Sequence, residues 1–229
     1  MLRAALYDAL RRVTPPRARR MIKQQAWFTP LAELLFSNHV YSRSYYRDVE
    51  RIEAESVEHV ADWITQKLNP RSVLDVGCGP GHLLSALRNR KVHVAGLDLS
   101  DEALRATREK GISAERIDLT DSESDLSGYQ VDLVVCCEVA EHLKELYARN
   151  FARVLGSSGA RVYLTAAEPD PTVGIGLNHY NEQPNSYWIR LLGEVGLRLN
   201  ESETKAARDY LGELPVVTYL KRPLIFDPA

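Results

Sequence analysis

The chain has 229 residues, enough for one ample domain or for a domain with an appendage. Its 45% hydrophobic and 26% charged residues exclude a wholly disordered chain, a collagen-like fibre and a disulfide miniprotein. Lys+Arg 29 against Asp+Glu 31 leaves a formal net charge of -2, which disfavours a protein that lives on nucleic-acid phosphates.

No run reaches the roughly 18 uncharged apolar residues of a membrane span, and no apolar core of a signal peptide follows Arg3. Cys78, Cys136 and Cys137 are odd in number and lack C-x-x-C spacing, so neither a disulfide framework nor a zinc site is indicated. A cytoplasmic chain is expected.

Two regions are predicted, a helical and aromatic extension over 1–47 and a main domain over 48–229. In the first, Leu2, Ala5, Leu6, Leu10 and Val13 recur at helical spacing beside Arg3, Arg11 and Arg12, and Pro15-Pro16 stops the helix. Residues 1–23 read as a packed appendage with a basic face; peripheral contact with an anionic membrane is the sharper alternative. Trp27, Phe28, Phe36, His39, Tyr41, Tyr45 and Tyr46 follow without strong periodicity. They either pack on the domain or form a lid that excludes water.

From residue 48 the chain alternates. A helical stripe holds Ile52, Val57, Val60, Ile64 and Leu68, and strand-like SVLDVG, VHVAGLDLS and VDLVVCC alternate with helical LLSALRNR, DEALRATREKG and LKELYARNFARVLG. Strand-like ARVYLTAA and helical SYWIRLLGEVG follow. Val-, Ile- and Leu-rich strands alternating with helices predict a doubly wound parallel α/β sheet. In the tail, LRLNESETKA and PVVTYLKRP read as an antiparallel pair at a sheet edge with no helix between them.

The chemistry gathers after the first strand, where Asp75-Val76-Gly77-Cys78-Gly79-Pro80-Gly81 turns from strand to helix. Glycines there let the backbone turn sharply and approach a ligand. The G-x-G-x-G spacing lacks the third glycine of dinucleotide-binding turns. Asp75 is placed to help bind a cationic ammonium, and Asp98 ends the next strand, where the doubly wound fold offers a carboxylate to ribose hydroxyls. Taken singly, Asp98 and Asp118 could each be a helix N-cap instead.

The series VLDVGCGPGHLL, GLDLS, ERIDL and VVCCEVAEHL resembles class I S-adenosylmethionine-dependent methyltransferases over roughly residues 48 to 221. The resemblance implies a Rossmann-like seven-stranded sheet with an antiparallel last strand. It implies that the glycine loop of Gly77, Gly79 and Gly81, with Cys78, holds the methionine moiety of S-adenosylmethionine, that Asp98 takes both ribose hydroxyls with Leu99 also at the cofactor, and that Asp118 with the Leu119 amide meets adenine. Glu138 would border the cofactor. The chain is then an enzyme transferring a methyl group to a small molecule.

Glu138-Val139-Ala140-Glu141-His142 follows the fourth strand, at the sheet end where α/β folds place their sites. Glu138, Glu141, His142 and the distal His179 are similar to the E-x-x-E-H plus histidine of ubiquinone-pathway and small-RNA 2′-O-methyltransferases, which implies a divalent metal. The same motif also occurs in metal-free relatives, the favoured reading. There His179 or His142 takes the proton of a hydroxyl acceptor. His82 reads as a solvated helix N-terminus, and His59 and His93 as structural. Oxygen is the favoured acceptor atom, nitrogen or carbon the alternative. Sugar or natural-product tailoring comes first, a lipid-like quinone second and an RNA terminus third. A non-catalytic partner subunit is the other class, opposed by the intact set Asp75, Gly77, Gly79, Asp98 and Asp118.

Overall fold

A computed structural model of the protein describes residues 56–169, 178–214, 216 and 218–229. The predicted basic helix of residues 1–23, with its membrane contact, and the aromatic segment Trp27 to Tyr46 lie outside the described residues, as does Ile52. Among the described residues no helix is long and apolar enough to cross a membrane.

Helix α1 covers 56–63 and runs into a π-helical turn, Ile64–Leu68, closed by Asn69 in the left-handed conformation. Then come β1 (Ser72–Val76), α2 (His82–Asn89), β2 (His93–Asp98), α3 (Asp101–Glu109), β3 (Ser113–Arg116) and β4 (Leu133–Cys137). After two 3-10 turns follow α4 (Ala148–Ser157), β5 (Arg161–Thr165), α5 (Asn185–Glu194), β6 (Leu197–Leu199), α6 (Glu201–Gly212) and β7 (Leu224–Pro228).

The seven strands form one sheet in the order β3-β2-β1-β4-β5-β7-β6. β1 to β5 pair in parallel, whereas β7 runs antiparallel to both β5 and β6. The expected sheet with its antiparallel last strand is therefore present.

Alternation along the central strands divides the core. Leu74, Val76, Val134, Cys136, Val162 and Leu164 point to the face covered by α4 and α5, where Phe151, Trp188 and Leu192 are buried. Val73, Leu133, Val135 and Tyr163 point the other way, onto Val60, Trp63 and Ile64 of α1 and its continuation, Leu87 of α2, and Leu211 of α6. Burial on both faces explains why these strands read as nearly continuous apolar runs. Each fully buried Leu- or Val-sized side chain contributes about 1.5–3 kcal/mol.

The tail departs from its sequence reading. A helix, α6, separates the edge strands, and the second of them is Leu224–Pro228; Thr218–Lys221 is a 3-10 turn. The Asn200 side chain caps α6 by accepting from the Glu203 N–H at 3.0 Å, which sets its start. The β-branched run at 216–218 suggested a strand, but in sequence alone it could not reveal that Leu224, Ile225 and Phe226 form the better buried one.

The strand order reverses between β1 and β4, which opens a crevice at their carboxyl ends. The glycine turn after β1, the Asp98 end of β2 and the Glu138 turn after β4 all emerge at that edge.

Candidate active site

The glycine turn is pinned to β2 by its own backbone. The Gly77 and Cys78 N–H groups both donate to the Leu97 carbonyl, at 2.7 and 3.0 Å. Asp98 holds the next link: its Oδ2 accepts from the Gly79 N–H at 2.9 Å and its Oδ1 from the Ser100 N–H at 2.8 Å. Ser100 in turn caps α3 through the Ala103 N–H. The helix-cap role that Asp98 alone could have filled thus falls to Ser100.

Gly77 has φ +81°, and a Cβ built on it would lie 2.3 Å from Val139 Cγ2. The Glu138 turn therefore packs directly on the glycine turn. Gly77→Ala should destabilise the fold, by about 1–2 kcal/mol for the left-handed backbone and about 1–3 kcal/mol for overpacking. A denaturant melt checks this; an unchanged midpoint would contradict the packing described. Gly79, with φ +52°, meets nothing within 4 Å on its Cβ side, so the turn leaves open space there.

Asp75 is buried, and its carboxyl is pushed up to about 7, first by burial and then by the charge of Asp98. Burial also raises Asp98, against the lowering effect of the amides of Ser100, Gly79 and Leu99. Neither carboxylate has an ion pair among the described residues. Leu99 is exposed beside them, 48% accessible, and Leu119 is buried. Asp118 spends one oxygen locally: Oδ1 accepts from the Thr120 N–H at 2.8 Å and from its hydroxyl at 2.7 Å. Cys78 is buried, and burial raises its thiol far above the ordinary range, so it is an inert wall of the turn.

The second constellation begins with Glu138, a non-glycine residue at φ 56° whose N–H donates to the Thr165 carbonyl at 3.1 Å. Such a conformation costs of order 1–3 kcal/mol and tends to mark a working site. Glu141 is wholly buried, and neither of its carboxylate oxygens has a hydrogen-bond partner of good geometry. Burial, then the nearby Glu138, pushes Glu141 up to about 9; burial also raises Glu138.

Two loops distant in sequence are stitched together here. The Glu141 carbonyl accepts from the Tyr180 and Asn181 N–H groups at 2.8 and 3.0 Å, and His142 Nδ1 meets the Asn178 carbonyl at 3.1 Å. The His142 and His179 rings lie edge to face, with centroids 4.8 Å apart. Ligand atoms of Glu141, His142 and His179 all fall within 4.8 Å of one another. Glu138, expected with them, is not in that group; its side chain faces Glu141 instead.

His82 is half-buried rather than solvated, while His93 is exposed at the start of β2 and His59 lies in α1. Sequence reasoning passed over Glu182, whose Oε1 lies 2.8 Å from His179 Nδ1. Its spacing of three residues from His179 was the available signal.

A family model described as a methyltransferase domain matches residues 74–160, the stretch from β1 to the residue before β5. Over those residues the chain is similar to a methyltransferase domain. Its glycine turn, Asp98, Asp118 and the Glu138–His142 turn all lie inside the matched span. A ubiquinone biosynthesis O-methyltransferase from Aeromonas salmonicida (strain A449) is 30% identical over 140 residues, covering 58% of this chain and 54% of that protein. The match thus spans about half the length of this curated relative.

Solved methyltransferases share the fold of the domain. An O-methyltransferase family protein from Burkholderia thailandensis superposes with a TM-score of 0.61 at 16% identity, over 86% of this chain and 63% of that one. Magnesium protoporphyrin IX methyltransferase from Synechocystis PCC 6803, crystallised with bound SAH, gives 0.56 at 18% identity, over 93% and 98%.

Proposed function

We propose that the protein transfers a methyl group from S-adenosylmethionine to a hydroxyl of a small molecule, with a phenolic quinone precursor as the first acceptor class. The contact of Val139 with Gly77 carries this reading, because it sets the turn bearing Glu141 and His142 against the cofactor loop. The named relatives favour oxygen as the acceptor atom and move the quinone class ahead of sugars and other natural products.

The described residues fit the cofactor. Asp75 and Asp98 are carboxylates at the crevice without a cationic partner, and the open side of Gly79 leaves room beside them. When bound, S-adenosylmethionine supplies an electrophilic methyl on a sulfonium and an ammonium that offsets those charges. In this reading Gly77, Cys78 and Gly79 hold the methionine moiety, Asp98 and Leu99 the ribose, and Asp118 with the Leu119 amide the adenine, with Glu138 at the border.

His179 takes the acceptor proton, and His142 braces the loop through Asn178. Most of the acceleration comes from holding the acceptor oxygen in line, about 3–3.5 Å from the methyl carbon. A radioactive methyl-transfer assay with 3,4-dihydroxybenzoate, a sugar and a short RNA as acceptors tests the assignment. Labelling of the catechol supports it; labelling of the RNA alone overturns it.

A proton count follows from Asp75. Its folded-state pKa is raised, so its contribution to stability is full below the unfolded value and fades as pH rises through about 7. The free protein thus holds that proton near pH 6, and a bound cation favours the charged form. S-adenosylmethionine binding should release a fraction of a proton near pH 6 and almost none well above 7. Calorimetry in buffers of different ionisation enthalpy measures this, and equal release at both pH values would contradict it.

One observation favours a second reading. The orphaned buried oxygens of Glu141 beside two imidazoles make a ligand set suited to a divalent cation, which would hold Glu141 ionised and acidify the acceptor hydroxyl. Loss of activity in chelator, reversed by added magnesium or zinc, selects this reading; full activity after extensive chelation selects His179 acting without an exchangeable metal.

A further inference from the structure

We propose that Glu182 is the positioning residue of His179: its contact with Nδ1 fixes the Nδ1–H tautomer and so makes Nε2 the nitrogen that takes the acceptor proton. This deepens the reading of His179 as the proton acceptor in O-methylation and rests on it.

Glu182 Oε1 lies 2.8 Å from His179 Nδ1, and the two side chains are only 10% and 18% exposed, so water competes weakly for the contact. An ionised carboxylate only accepts hydrogen bonds, so the proton of a neutral His179 sits on Nδ1 and the lone pair on Nε2. His142 is held in the same sense, because its Nδ1 faces the Asn178 carbonyl, which also only accepts. Two imidazoles crossed at 88° therefore both keep Nε2 unprotonated.

Glu182 offers His179 a charge, so an imidazolium there gains a charge-assisted hydrogen bond. In the step itself, His179 Nε2 takes the proton as the acceptor O–H bond breaks and the O–C bond forms. The electron pair of the breaking C–S bond stays on sulfur, and the imidazolium later gives its proton to solvent.

The test uses the full chain, labelled with nitrogen-15, with histidine side-chain spectra recorded above the titration range of imidazole and assigned through His179→Ala. The parent should show His179 protonated at Nδ1. Glu182→Gln keeps an acceptor oxygen and should keep that tautomer, whereas Glu182→Ala should lose it. With 3,4-dihydroxybenzoate, kcat should fall about 10–100-fold in Glu182→Ala at unchanged KM for S-adenosylmethionine, and less in Glu182→Gln. S-adenosylhomocysteine binding by each variant reports an intact fold, and Glu182→Gln carries the test if Glu182→Ala does not fold.

A His179 tautomer with Nε2 protonated in the parent, or an unchanged tautomer in Glu182→Ala, overturns the proposal. So does a kcat unaffected by both variants. Failure of the parent to methylate any acceptor would instead defeat the functional reading, and the tautomer result would still decide the role of Glu182.

Discussion

His179→Ala is expected to lower kcat for a phenolic acceptor by about 10²–10⁴-fold, the usual loss when a general base is removed. Affinity for S-adenosylmethionine should not change, because His179 stands on the 178–183 loop and not on the glycine turn. His142→Ala should cost less in kcat and more in thermal stability, since its Nδ1 contact with Asn178 helps join two loops. Steady-state kinetics and a melt of each variant separate these roles. If His142→Ala alone abolished turnover and His179→Ala were active, the assignment of the base would be reversed. Full activity in the double variant would move the acceptor from oxygen to nitrogen or carbon.

Asp98→Ala is expected to weaken S-adenosylmethionine binding by about 1.5–3 kcal/mol, or roughly 10- to 150-fold. Two losses combine there. In the proposed placement the ribose hydroxyls would lose a charged acceptor, and the Gly79 N–H loses the oxygen that holds it 2.9 Å away. Asp98→Asn can keep the Gly79 contact through its amide oxygen, so it should be milder. Equal binding by parent and Asp98→Ala would show that the carboxylate faces no ligand.

Local sequence carried much of this architecture. Strands buried on both faces must be apolar throughout, so SVLDV and LVVCC declared themselves, and Asp98 followed from its position at the end of one of them. A turn forced to positive φ needs glycine, so Gly77 and Gly79 were equally visible. Contacts across long sequence separations were not. Nothing in GLNHYNEQPN indicates that the Tyr180 and Asn181 amides close on the carbonyl of Glu141, and only the i,i+3 spacing hints that Glu182 meets His179.

Glu138 illustrates the same limit. Its spacing placed it with Glu141, His142 and His179, but the group whose ligand atoms come together leaves it out. Helix α6 escaped for a different reason, because its Asn200 cap lies inside a run that also reads as strand.

Isothermal titration of the full chain with S-adenosylmethionine, S-adenosylhomocysteine and NADH tests most directly whether the crevice between the Gly77 turn and Asp98 takes a sulfur nucleoside cofactor. Saturable one-to-one binding of the two sulfur compounds, weakened by Asp98→Ala, is expected, with no heat from NADH. Binding of NADH without measurable binding of either sulfur compound would contradict that expectation.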